Sequence, residues 1–229
     1  TVAVQARQTL PGTQRVLDMA DPTPFGNAVV GCVDLRSSDL HRQLERFCDH
    51  PKFRGVRHVV QDEPDDGFML RQDFLRGLAV LSEFDLNYDI LIFPRHLLVA
   101  CQVVERFPDQ PFVLDHIAKP SIRAGVIEPW AGGIQRLAAF PNVCCKVSGM
   151  VTEADWQRWQ RADFQPYLDV VFEAFGPKRI MLGSDWPVCT VAGTYAQVTT
   201  IVSDYVQGLS EEERAAVWGG TAQRFYRLE

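Results

Sequence analysis

Two residues, His116 and Asp185, are the strongest candidates for chemistry in this sequence. His116 follows the apolar segment Pro111–Asp115, and Asp185 follows Arg179–Gly183 with one serine between. An aspartate at the end of an apolar strand is well placed as a metal ligand or a general base, and a neutral imidazole can bind the same ion. We therefore expect these two side chains to share one site.

Each of the two candidates also has a purely structural interpretation. Asp185 precedes Trp186-Pro187 and could cap the start of a helix there, a position that aspartate favours. His116 could be a core histidine whose ring nitrogens bond only to the backbone. Proximity of the two side chains in the fold would distinguish the functional interpretation from the structural one.

Further polar residues end or interrupt apolar segments. Arg57 and His58 lie near the end of Phe53–Val60 and could hold substrate oxygens, or could form an ion pair of little energetic weight with nearby acidic residues. Neighbours on a strand face opposite sides, so only one of the two need point inward. Lys146 lies in the apolar segment Asn142–Val147 and should have a carboxylate, carbonyl or substrate partner, because burying an unpaired ammonium is costly. Lys119 is interpreted as a solvated loop cation.

The elements that must position these residues alternate along the chain. Seven short, nearly continuous apolar runs are typical of strands buried on both faces of a parallel sheet: Thr1–Gln5, Ala28–Val33, Phe53–Val60, Tyr88–Phe93, Pro111–Asp115, Asn142–Val147 and Arg179–Gly183. Amphipathic spacing predicts helices between and after them: Ser38–His50, Arg71–Glu83, Arg95–Phe107, Trp130–Phe140, Phe164–Phe175, Tyr195–Val206 and Glu211–Trp218. This alternation predicts βαβ units and an α/β fold in which catalytic groups sit at the carboxyl ends of strands.

Composition narrows the class of protein. The 229 residues carry a net charge of −6, which argues against nucleic acid as the partner. No apolar run reaches the roughly 20 residues needed to cross a bilayer, and six scattered cysteines are typical of reduced thiols. We expect one domain, 1–229, located in the cytoplasm and acting on a small molecule without a membrane partner; the residues carry no signal for an oligomeric state.

Five segments together resemble one known family: GVRH, LDHIAKP, KVSG, GSDWPV and the closing GGTAQRFYRL. They are similar to the lactonase-like branch of the amidohydrolase superfamily, whose members include L-fuconolactonase and a pyrone-dicarboxylate lactonase. The resemblance implies a (β/α)8 TIM-barrel-like metal-dependent hydrolase fold. Seven strands are visible, and Thr1–Gln5 resembles the second strand of the barrel, so we expect a domain that is incomplete at its N-terminus.

The resemblance also assigns roles to individual residues. It implies that Asp185 is the catalytic base and a metal ligand, that His116 is a second metal ligand, and that Arg57, His58 and Trp186 bind substrate. The implied cofactor is one divalent metal, Zn or Mn. The family's His-x-His pair is absent from this sequence, so we expect poor metal affinity. Asp89 stands where other members keep a histidine, which argues against a second metal.

The resemblance implies hydrolysis of a sugar-acid lactone or similar cyclic ester by water that Asp185 activates, with assistance from a metal. Two alternatives remain open. One is a pyrone-dicarboxylate hydrolase or a decarboxylase on the same barrel, for which Arg57 and Lys146 would supply cations. The other is a truncated barrel without catalytic activity.

Overall fold

The apolar segments form a single parallel sheet in the computed structural model, which describes residues 1–228. Each strand pairs in parallel with the next in chain order, so the prediction of seven strands in an α/β barrel-like arrangement is confirmed. β1 and β7 are the edges of this sheet and are not paired with one another in the described part of the chain. The strands are β1 (Val2–Val4), β2 (Ala28–Gly31), β3 (Phe53–Val59), β4 (Asn87–Leu91), β5 (Phe112–Leu114), β6 (Val143–Val147) and β7 (Ile180–Leu182).

The α-helices lie in the connections between strands and after β7. Within residues 1–228 they are α1 (Leu10–Ala20), α2 (Leu40–Cys48), α3 (Gln72–Leu81), α4 (Leu97–Arg106), α5 (Trp130–Ala138), α6 (Arg161–Phe175), α7 (Tyr195–Tyr205), α8 (Glu211–Ala215) and α9 (Thr221–Tyr226). The predicted helices correspond to α2–α8, with ends that differ by a few residues. The last one differs most, because α8 continues through a π-helical turn, Ala216–Gly220, into α9.

Helix α1 was not expected from the sequence, because its apolar pattern is weak. Thr13 occupies a position on its buried face, where its hydroxyl donates to the Cys32 carbonyl at 2.8 Å and accepts from the Cys32 amide at 2.7 Å. Thr9 caps the helix by accepting from the Gly12 amide. Local hydrogen bonds thus replace part of the apolar packing that would have revealed the helix.

The core lies on both sides of the sheet. Tyr88 and Phe112 are fully buried on the side that packs against the helices. A smaller cluster fills the opposite side, where Val30 of β2 and Val113 of β5 meet Tyr226 of α9. The C-terminal helix therefore closes the interior of the barrel-like sheet rather than covering its outside.

Two findings bear on the environment of the chain. The six cysteines are free, and no disulfide joins any of them in residues 1–228. Among residues 1–228, none of the helices combines the length and the apolar character needed to cross a bilayer.

A glycine fixes how closely α3 approaches the loop after β2. A Cβ atom at Gly77 would lie 2.0 Å from the Leu35 carbonyl oxygen, which is backbone and cannot turn aside. We expect Gly77→Ala to lower the free energy of unfolding by about 1–3 kcal/mol, because overpacking forces the backbone apart. Urea denaturation measures this change. Gly208→Ala is the matched control, since no atom lies within 4 Å of its added Cβ; equal losses in both variants would contradict the prediction.

Candidate active site

The carboxyl ends of β5 and β7 bring His116 and Asp185 together, although 69 residues separate them. Nε2 of His116 lies 3.7 Å from Oδ1 of Asp185, and the two side chains are only 12% and 15% exposed. Parallel strands place their carboxyl ends at one edge, which is why two distant segments meet there. The expected juxtaposition is therefore present in the structure.

The imidazole of His116 is held in a close-fitting cradle that follows β6. Its Nδ1 is 2.8 Å from the Ser148 hydroxyl, which leaves Nε2 directed toward Asp185. Gly149 has a φ of +64°, and a Cβ there would lie 2.8 Å from Cγ of His116. A side chain at position 149 would thus displace the ring, so the glycine is required both for the turn and for this contact.

The segment that carries His116 has an unusual backbone. His116, Ile117, Ala118 and Lys119 have φ values of 53°, 47°, 58° and 51°, all in the left-handed region. This conformation costs residues other than glycine roughly 1–2 kcal/mol each. Ile117 and Ala118 are fully buried, and Trp130 donates from Nε1 to the Ile117 carbonyl at 2.7 Å. The surrounding structure therefore holds a strained turn at the candidate site, as is common for functional segments.

The carboxylate of Asp185 is not used as a helix cap. It accepts no hydrogen bond from any of residues 1–228, and the short helix Val188–Val191 begins without a side-chain cap. The Asp185 carboxylate is thus available for a ligand. Burial raises the pKa of Asp185 to about 6, and the positive charge of Lys119 limits the rise. At neutral pH the side chain is predominantly ionised.

His116 is neutral at the same pH. Burial lowers its pKa to about 3, and the adjacent carboxylate of Asp115 only partly opposes that effect. The contact between His116 and Asp185 is therefore one between a neutral imidazole and a carboxylate. A neutral imidazole can accept a hydrogen bond or bind a cation, whereas a protonated one can do neither.

Beside this pair lies a network of four buried charged side chains with no net charge. Lys146 contacts Asp89 at 2.5 Å and Asp115 at 2.7 Å, and Arg57 contacts the other oxygen of Asp115 at 2.7 Å. Both aspartate side chains are 0% exposed. The hydroxyl of Tyr226 donates to Asp89 at 2.9 Å. The predicted carboxylate partner of Lys146 is confirmed, and there are two of them.

The electrostatic consequences follow from this pairing. Burial alone would favour neutral Asp115, but Lys146 and Arg57 outweigh it and hold the pKa of Asp115 well below its usual range. Burial likewise opposes the charge of Lys146, and the two carboxylates raise its pKa. Burial raises the pKa of Asp89, and this rise is opposed by Lys146 and by the hydrogen bond from Tyr226. Because Asp89 is paired directly with Lys146, we treat all four side chains as charged in the folded protein.

Arg57 faces the network, whereas His58 faces the other side of β3. Nη2 of Arg57 donates to the Gln5 carbonyl at 2.6 Å in addition to its contact with Asp115. The His58 ring instead stacks on Phe68, with centroids 4.8 Å apart, and its Nε2 lies 2.6 Å from Glu63. The structure thus brings Arg57 to the network and leaves His58 apart from the His116–Asp185 pair, because alternate strand residues point to opposite faces.

Trp186, the remaining predicted substrate-binding residue, directly follows Asp185. Its side chain is 65% exposed, and its amide donates to the Ser184 hydroxyl at 3.2 Å. An aromatic surface of this size beside Asp185 is accessible to a ligand.

The metal-ligating groups form an incomplete set. Within residues 1–228 no group of three or more His, Cys, Asp or Glu side chains is arranged to hold a metal ion. His116 and Asp185 supply two ligands, and the Ser148 contact at Nδ1 orients the ring as an outer partner of a metal-bound histidine would. Catalytic zinc sites normally have about three protein ligands. The residues described therefore fit a metal only in part.

Sequence reasoning did not identify three components of the site. Asp89 and Asp115 were recognisable only as acidic residues in apolar strands, and that burial was the signal that could have marked them as partners of Lys146. Tyr226 gave no signal, because its contact with Asp89 spans 137 residues. Lys119, which was expected to be solvated, is half-buried at the end of the left-handed turn.

The fold and the edge at which these residues meet define a TIM-barrel-like hydrolase. The family model described as Amidohydrolase matches residues 3–228, and the chain belongs to this family. It is 41% identical over 239 residues to the L-fucono-1,5-lactonase of Burkholderia multivorans, covering 100% of this chain and 80% of that one. It is 38% identical over 233 residues to the L-fucono-1,5-lactonase of Burkholderia ambifaria, with the same coverage.

A solved structure is similarly close. The crystal structure of an amidohydrolase from Burkholderia multivorans with bound Zn superposes with a TM-score of 0.94 at 41% identity. The match covers 100% of this chain and 83% of that chain. The family expected from the five sequence segments is therefore confirmed.

The charge network generates a prediction about stability. Lys146→Met leaves Asp89 and Asp115 buried with too little positive charge, so we expect the free energy of unfolding to fall by about 3–5 kcal/mol. Chemical denaturation monitored by circular dichroism measures it. Lys178→Met is the control: Lys178 also pairs with a carboxylate, but at a side chain that is 65% exposed, where such pairs contribute about 0–1 kcal/mol. A Lys146 variant as stable as the control would show that the network is dispensable.

Proposed function

We propose that this protein hydrolyses the lactone of a sugar acid, with L-fucono-1,5-lactone as the first candidate substrate. The observation that carries the proposal is the unpaired, partly buried carboxylate of Asp185 beside neutral His116. The identity to two proteins named L-fucono-1,5-lactonase supports the substrate class. A lactone suits one carboxylate, because its leaving group stays tethered and requires a single proton.

The reaction needs one base and one returned proton. The Asp185 carboxylate removes a proton from water, and the water oxygen bonds to the lactone carbonyl carbon while the carbonyl π electrons move to oxygen. The carbonyl then re-forms, the bond from the carbon to the ring oxygen breaks, and Asp185 returns the proton to that oxygen. Nε2 of His116, 3.7 Å from Oδ1 of Asp185, is positioned to accept a hydrogen bond from the attacking water.

A divalent cation, if bound, would be held by His116 and Asp185 and would polarise the carbonyl as a Lewis acid. The relative of known structure carries Zn. In this chain, however, the described residues provide two ligands rather than about three. We therefore assign no step of the reaction to a metal and propose that Zn or Mn binds weakly.

The charge of the site favours a neutral substrate over a dicarboxylate. Arg57 and Lys146 were the cations expected to recognise a pyrone dicarboxylate, but Asp89 and Asp115 neutralise both. A dianion would add two negative charges beside the Asp185 carboxylate, and the ammonium of Lys119 alone would not balance them. The sugar lactone is therefore preferred over the dicarboxylate alternative.

We propose a cytoplasmic protein that acts on a small molecule and has neither nucleic acid nor membrane as a partner. The net charge of −6 supports the exclusion of nucleic acid, since polyanions are bound through basic surfaces. Six free thiols support a reducing compartment.

Substitution of the base tests the mechanism directly. We expect Asp185→Asn to lower kcat/KM for L-fucono-1,5-lactone by about 10²–10⁴-fold, because the amide cannot accept the proton of water. In the wild type, kcat/KM should fall as the pH decreases through about 6, since Asp185 is active only when deprotonated. A pH-stat assay measures both effects. Asp109→Asn, at an exposed aspartate, is the control and should retain full activity. Equal turnover by the two variants would eliminate Asp185 as the base.

Metal content tests the assignment of two ligands. The protein is first dialysed against a chelator, then mixed with one equivalent of Zn and gel-filtered. We expect it to retain well under one Zn per chain, because about three protein ligands are needed for tight binding. His116→Ala should reduce the retained Zn further. His50→Ala is the control, since His50 forms a comparable pair with Asp21 at 3.1 Å far from the site in sequence. Retention of a full equivalent by the wild type, measured by atomic absorption, would contradict the prediction.

A further inference from the structure

Lys119 is a half-buried cation without a counter-ion. It ends the strained turn that begins at His116, and its amide donates to the His116 carbonyl at 2.8 Å. Its Nζ lies 5.6 Å from the centroid of the half-buried Phe93 ring, which can support the ammonium by a cation–π interaction without neutralising it. No carboxylate of residues 1–228 forms an ion pair with it.

Lys119 lies at the edge of the sheet where the candidate base is found. It ends the turn that follows β5, and Phe93, the ring near its Nζ, follows β4. Asp185 follows β7 at the same edge, because the carboxyl ends of parallel strands lie together.

The two buried cations near this edge, Arg57 and Lys146, are already engaged. Nη1 and Nη2 of Arg57 donate to Asp115 and to the Gln5 carbonyl, and Lys146 lies between two carboxylates. The ammonium of Lys119, in contrast, has no hydrogen-bond acceptor within residues 1–228 and retains its donors for a ligand. The three donors of a lysine ammonium suit a single oxygen on which negative charge develops.

We infer that Lys119 is a catalytic residue that binds the lactone carbonyl oxygen and stabilises the oxyanion, an inference that rests on the proposed function. As the water oxygen bonds to the carbonyl carbon, the π electron pair moves to the carbonyl oxygen, and Lys119 donates hydrogen bonds to the resulting negative charge. When the carbonyl re-forms, that electron pair returns and the bond to the ring oxygen breaks. Lys119 neither gains nor loses a proton in the cycle.

The left-handed turn explains how such a donor could be aimed in advance. Lys119 lies three residues after His116, and the intervening Ile117 and Ala118 are fully buried, which fixes the backbone at both positions. A donor that need not reorganise during the reaction stabilises developing charge more than a mobile one would. The backbone strain of the turn is consistent with this positional requirement.

The experiment compares Lys119→Gln and Lys119→Arg with the wild type, using L-fucono-1,5-lactone. We expect Lys119→Gln to lower kcat by about 10²–10³-fold with little change in KM, because the lost interaction is strongest in the transition state. Lys119→Arg should recover part of kcat, since it restores the charge. Lys178→Gln, at an exposed lysine before β7, is the matched control and should leave both constants unchanged.

Different outcomes separate this inference from the proposed function. If the wild type hydrolyses the lactone and the kcat of Lys119→Gln is within twofold of the wild-type kcat, the role of Lys119 is overturned and the proposed function stands. A loss confined to KM, or no recovery by arginine, would likewise reject oxyanion stabilisation. A wild type that opens no sugar lactone would overturn both. Thermal unfolding verifies the fold of each variant, and Lys119→Met replaces the glutamine variant if that one is unfolded, with the same expected loss of kcat.

Discussion

Two carboxylates sealed from solvent, Asp89 and Asp115, impose the constraint on which the rest of the site depends. Each must meet a cation, because an unpaired charge in the interior costs several kcal/mol. Lys146 meets both, and Arg57 meets one of them. The four residues come from β3, β4, β6 and the end of β5. A shift of any of these strands by one residue would reverse the direction of its side chains and leave a buried charge unpaired. The network therefore specifies strand register as well as local charge.

The same network anchors the strained segment that carries the candidate chemistry. Asp115 immediately precedes the left-handed turn, and its carboxylate is fixed by Arg57 and Lys146. The turn is fixed again by Trp130, which donates to the Ile117 carbonyl. Contacts from other strands and helices can thus maintain a conformation that costs roughly 1–2 kcal/mol per residue in isolation. The position of His116 near Asp185 is a property of the whole sheet rather than of its own loop.

The extent to which the sequence predicts this structure depends on the range of the interactions. The strands and most helices can be predicted from the spacing of apolar residues, which is a local property. Helix α1 was not predicted, because Thr13 forms hydrogen bonds at a position where an apolar side chain would be expected. The meeting of His116 and Asp185 follows from the rule that parallel strands share one edge. The turn at 116–119 leaves no trace in residue types, since Ile117 and Ala118 are not residues that favour positive φ. The contact of Tyr226 with Asp89 depends on how α9 enters the interior, which no local pattern encodes.

The distribution of charge is consistent with both halves of the proposed catalytic cycle. The cations of the buried network are paired with Asp89 and Asp115, whereas the proposed catalytic groups, the carboxylate of Asp185 and the ammonium of Lys119, have no charged partner within 4 Å among residues 1–228. A neutral lactone can enter without opposing either group, and charge appears on its carbonyl oxygen only as water adds, which is when a nearby cation is most effective. In the proposed cycle, Asp185 regains its negative charge by returning its proton to the ring oxygen, and the carboxylic acid formed by ring opening ionises by releasing its own proton to solvent. Repulsion between these two anions would then favour release of the product, so the arrangement proposed to activate water would also limit inhibition by the ring-opened acid.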